Sequence, residues 1–206
     1  MLYQIDHLLY GVRNLQEGMA YIHELTGVKP VIGGSHPGLG THNALMGLGN
    51  NIYFEIIAPD PQQKVERVWM DLDQLEKPKL FRWAATTRDI MAVRNKGLSN
   101  GIDIGAVKSG SRYKPDGSLL EWTLSDPNVN LGDGLIPFFI DWGERGNPTS
   151  ELPTGCALKS FSATHLHPDN INQSLDALGL ELEVQQGPDS ILIAEIETPK
   201  GYKVLS

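Results

Sequence analysis

Two apolar segments each carry one side chain able to do chemistry. In IDHLLYGV, His7 sits on the strand face shared by Ile5 and Leu9. In NIYFEIIAP, Glu55 shares a face with Tyr53 and Ile57. A carboxylate among bulky apolar neighbours is costly to bury uncompensated, so Glu55 needs a partner, and a metal ion or an arginine would each serve. Imidazole and carboxylate together suit Zn²⁺, Ni²⁺, Mn²⁺ or Fe²⁺. A lone strand histidine is as readily a core or rim residue satisfied by its neighbours. His42, in GTHNAL, follows the glycines Gly33, Gly34, Gly38 and Gly40. That run reads either as a loop bordering a pocket, presenting Thr41, His42 and Asn43, or as a surface loop leading into a strand. His36 reads as solvated or at a pocket rim, and His23 as the surface of a helix. His165 and His167 read as a solvent-facing strand end or, spaced i, i+2, as a metal pair. Arg82, Arg112 and Trp122 form a second set suited to gripping a ligand, by a guanidinium fork and an aromatic face. Trp83, Trp122 and Trp142 also fit an ordinary core.

Composition narrows the classes of function. The 206 residues carry 17 basic and 25 acidic side chains, a formal net charge of -8. Without a basic block, such a chain is a poor partner for nucleic acid or an anionic membrane. The single cysteine, Cys156, allows neither an internal disulfide nor a thiolate metal cluster. No signal peptide and no membrane-spanning run is evident, so a cytoplasmic location is expected. Nothing matches a P-loop, a dinucleotide fingerprint, a nucleophile elbow or a zinc-protease helix, so no nucleotide cofactor is expected. The 22 glycines and 13 prolines imply short strands and tight turns.

The elements that would position these residues recur along the chain. Residues 2–12 read as a strand. Asn14 and Glu17 resemble a capping box opening a helix with the stripe Leu15, Met19, Ile22 and Leu25, stopped by Gly27. Asn50-Asn51 reads as a hairpin turn before a buried strand ending at Pro59. A second copy runs from LFRWAATT through a short helix closing at Gly97, a Pro115-Asp116-Gly117 turn and the strand LIPFFIDWG. A third begins at LKSFSATHL, with Asp169 capping a helix ended by Gly179. The expected division is a first β-α-β-β-β module at 1–59, a connector at 60–79, a second module at 80–143, a linker at 144–156, and a truncated third copy at 157–206.

The run IDHLLYGV, then GTHNALMGLG, then YFEIIAP, resembles the vicinal-oxygen-chelate superfamily, specifically its glyoxalase-like branch. The resemblance implies an α+β chain whose tandem β-α-β-β-β modules form an incomplete barrel around a divalent metal, with the third, smaller copy at the C-terminus. It implies His7 and Glu55 as metal ligands, from the first and last strands of a module. Full sites in the superfamily draw two ligands from each of two modules. Here Arg82 falls opposite His7, and arginine cannot ligate a metal. Asp141 falls near the place of Glu55, while the third copy offers Ser162 and Glu195. The implied site is reduced, or completed by Asp141 or His42. If the modules close on each other, Arg82 faces the shared cavity, where it would bind a substrate carboxylate or neutralise Asp141 or Glu55.

The implied function is a small-molecule enzyme, a lyase, isomerase or dioxygenase. Its metal would act as a Lewis acid on the vicinal oxygens of a carbonyl substrate, stabilising an enolate or similar oxyanion, while Glu55 or Asp141 moves a proton. Arg82, His42, Arg112 and Trp122 would bind substrate. The alternative is a protein that sequesters a small molecule in the same cleft without a metal. Exposed strand edges on an incomplete barrel are consistent with a homodimer.

Overall fold

The computed structural model describes residues 4–114 and 116–206. Leu2 and Tyr3 of the expected first strand, and Pro115 of the expected turn, lie outside them. The first strand, β1 (Gln4–Gly11), leads into α1 (Leu15–Thr26). Asn14 opens that helix as its side chain accepts from the amides of Gln16 and Glu17, and Gly27 closes it in the left-handed conformation. Three strands follow: β2 (Val31–His36), β3 (Thr41–Gly47) and β4 (Tyr53–Pro59). Asn50 and Asn51 both take positive φ in the hairpin before β4. The order repeats as β5 (Lys79–Thr86), α2 (Ile90–Ser99), β6 (Lys108–Tyr113), β7 (Leu119–Leu124) and β8 (Phe138–Asp141). It repeats again as β9 (Ala157–His165), α3 (Pro168–Leu178), β10 (Glu183–Gln186), β11 (Ile191–Thr198) and β12 (Gly201–Leu205).

Three local expectations differ from the structure. The glycine run does not begin as a loop, because Gly33 and Gly34 belong to β2 and only residues 37–40 turn. The helix α2 runs past Gly97 to Ser99, and a Cβ at Gly97 would press on the Ile102 carbonyl, so this glycine serves close packing rather than termination. Pro168 starts α3, which leaves Asp169 inside the first turn rather than at the cap.

Eight strands form a closed barrel in the order β1-β4-β3-β2-β6-β7-β8-β5, and the last four form a separate sheet, β10-β9-β11-β12. Alternation along each barrel strand gives two apolar faces. Leu9, Leu45, Tyr53, Ala84, Trp122, Leu124, Phe138 and Ile140 point into the barrel. Leu8, Phe54, Ile56, Trp83 and Phe139 point outward into a larger core shared with Ile22 of α1, Val93 of α2, Leu175 of α3 and Ile196 of β11. Each such fully buried large side chain contributes about 1.5–3 kcal/mol. Trp83 joins the two sheets, with its ring edge against Phe161 and its Nε1–H donating to the Leu135 carbonyl.

The incomplete barrel expected from the sequence is closed here, at a narrow seam. The strands β2 and β6 pair at one register position, Ser35 with Tyr113. Gly34, at φ 142°, makes that approach possible, since a Cβ there would overlap the Tyr113 carbonyl oxygen. Replacing Gly34 with alanine adds backbone strain to the clash and is expected to cost roughly 3 kcal/mol. Urea unfolding would measure the loss, and faster amide exchange at Ser35 and Tyr113 would locate it at the seam.

Candidate functional site

The barrel interior holds a buried polar chain inside an apolar wall. His7 lies between two carboxylates, with Nδ1 2.7 Å from Asp6 Oδ1 and Nε2 3.3 Å from Glu55 Oε2. The ring stacks on Tyr53 at a centroid distance of 4.5 Å and meets the edge of Phe138. Asp6 reaches this face because the register of β1 on β5 slips between Ile5 and His7, leaving Asp6 unpaired in the ladder. Its second oxygen accepts from Trp142 Nε1 at 3.0 Å and Asn147 Nδ2 at 3.4 Å. On the far side, Glu55 Oε1 accepts from Asn43 Nδ2 at 2.7 Å. The same amide stands 3.5 Å from His36 Nε2, and His36 Nδ1 lies 2.9 Å from Thr41 Oγ1. His7, Glu55, Asn43, His36, Tyr53, Arg112, Trp69, Trp122 and Trp142 all line one cavity.

Burial sets the charge of this interior. It lowers the pKa of His36 to about 4, a drop only partly opposed by Glu55. His36 is therefore a neutral imidazole that donates from Nδ1 to Thr41 and accepts at Nε2 from Asn43. Burial, with Asp6 and Glu55 adding to it, pushes the Tyr53 phenol well above its ordinary value, so Tyr53 stays neutral. Because the folded protein refuses a proton that unfolded His36 takes near pH 6.5, stability should fall as pH drops through the window from about 6.5 to about 4. The folded pKa lies below the unfolded one, so the contribution is complete above the window and declines within it, by at most about 3 kcal/mol. Urea midpoints taken across that window should slope less in a His36→Gln variant.

Of the residues singled out from sequence, the barrel gathers His7, Glu55, Arg112 and Trp122 and leaves three elsewhere. His42 alternates with Thr41 and Asn43 and so faces outward, into a separate groove with Arg13, Asp60 and Lys64. Asp141 lies between inward-facing Ile140 and Trp142, and its Oδ1 accepts from the Gly143 amide instead. Arg82 does not face the cavity either. The β1–β5 register breaks again between Leu9 and Tyr10, and the guanidinium donates to the Phe81 carbonyl at 3.1 Å and sits beside Gly134 in the field of Asp133. His165 pairs with Asp133 at 3.3 Å. Asp6, His36, Asn43 and Trp69 are site residues that sequence reasoning missed. The alternation His36, Thr41-x-Asn43-x-Leu45 was the available signal for two of them, once Gly33-Gly34 is recognised as strand.

A divalent metal held by both halves of the barrel does not fit these donors. His7 pairs in register with Ala84, and the inward positions of β8 are Phe138 and Ile140, so the second half supplies no ligand. In the first half, His36 Nε2 stands 4.0 Å from Glu55 Oε1, and the Asn43 amide, a donor, lies between them. Among the described residues no group of three or more His, Cys, Asp or Glu side chains is placed to share an ion.

A family model described as a glyoxalase-like domain matches residues 5–179. No curated protein matches the chain in sequence. Among solved structures, a hypothetical protein from Staphylococcus aureus superposes with TM-score 0.66 at 18% identity, over 99% of this chain and 85% of that one. Methylmalonyl-CoA epimerase from Mycobacterium tuberculosis gives TM-score 0.45 at 18% identity, over 68% of this chain and 89% of that one. A Streptomyces coelicolor methylmalonyl-CoA epimerase variant in complex with 2-nitronate-propionyl-CoA gives 0.47 at 15% identity, over 68% and 98%.

Proposed function

The chain belongs to the glyoxalase-like domain family of the vicinal-oxygen-chelate superfamily, and from that premise we propose that it is a small-molecule enzyme whose barrel cavity moves a proton at the carbon next to a carbonyl group. The observation that carries this reading is the buried chain Asp6–His7–Glu55. A carboxylate this enclosed is a stronger base than one in water, because burial disfavours its charge. Glu55 takes the α-proton, the C–H electrons form the new C=C bond, and the carbonyl π electrons move onto oxygen. Asp6 holds the Nδ1–H of His7, which leaves Nε2 facing Glu55 as the site that exchanges a proton with it. Return of the proton to the same carbon gives epimerisation, and its return to the neighbouring atom gives isomerisation.

The enolate oxygen needs a donor at the moment charge forms, and the fixed cation lining the same cavity is Arg112. Trp69, Trp122 and Trp142 exclude water, so this charge acts in a medium of low dielectric constant. The reading is tested by loss of α-proton signals in D₂O, followed by NMR over a panel of small ketones, aldehydes and oxo acids. Exchange catalysed by the protein and lost in Glu55→Gln supports it. Saturable binding of a carbonyl compound with no exchange would replace it with sequestration.

A further inference from the structure

Arg112 is a buried cation without a counter-ion. The residue is 5% exposed, and among the described residues no carboxylate oxygen lies within ion-pair distance of it. The carboxylates whose fields reach it are Glu55 and Glu151. Both are committed elsewhere, Glu55 to His7 and Asn43 and Glu151 to Lys114 at 2.8 Å. Burial accordingly lowers the Arg112 pKa, with Glu55 only partly opposing the shift. A guanidinium taken from water without an anion is costly, and the cost is recovered when an anion joins it.

The surrounding backbone holds the group in one orientation. The register of β2 on β3 slips between Ile32 and Gly34, which takes Gly33 out of the ladder and turns its carbonyl to Arg112 Nη1. Among the described residues that is the guanidinium's hydrogen bond to protein, so the other N–H groups of the fork remain for a ligand. Beside it, Gly110 lets the Trp122 indole lie across β6, where a Cβ would collide with Nε1. Trp122 then meets Trp142 at 5.3 Å and the His36 ring at 6.2 Å. A fixed fork with free parallel N–H donors against a flat aromatic wall matches a planar carboxylate.

We propose that Arg112 anchors the carboxylate of the substrate, so that the cavity takes small oxo acids, with the acid group on Arg112 and the α-carbon towards Glu55. This rests on the proton-transfer reading and narrows it. Uncharged carbonyl compounds of the same size are then poor ligands.

Tryptophan fluorescence tests the anchor without turnover, because Trp69, Trp122 and Trp142 line the cavity. Pyruvate, 2-oxobutanoate and phenylpyruvate would be titrated beside their methyl esters. The expected result is saturable quenching by at least one acid, weakened about 10-fold or more for its ester, the scale of one lost charged hydrogen-bonding partner. Arg112→Gln should lose the preference for the acid, and Arg112→Lys should recover part of it as a point charge. Adding free guanidinium ion to Arg112→Ala should restore acid binding, which a merely misfolded variant would not do.

Equal affinity for acid and ester, absence of binding by every acid, or an acid preference surviving in Arg112→Gln would overturn the anchor. Failure of this inference separates from failure of the enzyme reading. Acid binding through Arg112 without proton exchange keeps the anchor and removes the enzyme. Exchange of neutral ketones that ignores Arg112→Gln keeps the enzyme and removes the anchor.

Discussion

Asp6→Ala is expected to destabilise the protein by roughly 3–5 kcal/mol, the cost of breaking a buried pair whose partner stays behind. The carboxylate is 1% exposed and accepts from three donors on three different segments: His7 of β1, Trp142 just after β8, and Asn147 in the following loop. Alanine leaves the His7 and Trp142 N–H groups in a dry interior, at about 1–3 kcal/mol each. It also frees the loop that Asn147 ties to the barrel through Asp6 and the Asn51 carbonyl. Asp6→Asn keeps one acceptor oxygen and should cost less than half as much. Urea unfolding of the two variants against the wild type measures the difference, and equal stability of all three would show that Asp6 is dispensable to the interior.

Glu55→Gln should separate activity from folding. The amide keeps the size and one acceptor oxygen of the side chain, so the hydrogen bond from Asn43 can survive. It removes a buried negative charge, and the melting temperature should stay level or rise. An amide cannot take a proton from carbon at neutral pH, so α-proton exchange should fall by roughly 10²–10⁴-fold, the ordinary worth of a positioned general base. A parallel loss of stability and rate would instead assign Glu55 a structural role.

How legible the site was in the sequence depends on where the strands are regular. His7 and Glu55 lie on opposite sides of a parallel pair, β1 with β4, where alternation holds, and their apolar neighbours marked both faces correctly. The Asn14 cap and the Asn50-Asn51 turn were readable because their chemistry is local. What stayed hidden follows from three breaks in register. One turns Asp6 towards His7, one aims the Gly33 carbonyl at Arg112, and one carries Arg82 away from the cavity. A register break depends on the partner strand, so no pattern within the strand itself announces it. The same limit explains the glycine run: Gly34 reads as a turn residue until Tyr113, 79 positions later, is known to pass against it. Asp141 and His42 failed more simply, through a one-residue error in facing.

The most direct test of the account is α-proton exchange by protein stripped of metal with a chelator, because the proposed base and its partners are all side chains of this barrel. The prediction is exchange of at least one small oxo acid at a rate unchanged by the chelator and lost in Glu55→Gln. Exchange that disappears on chelation and returns with Zn²⁺, Ni²⁺, Mn²⁺ or Fe²⁺, or that persists in Glu55→Gln, would contradict it.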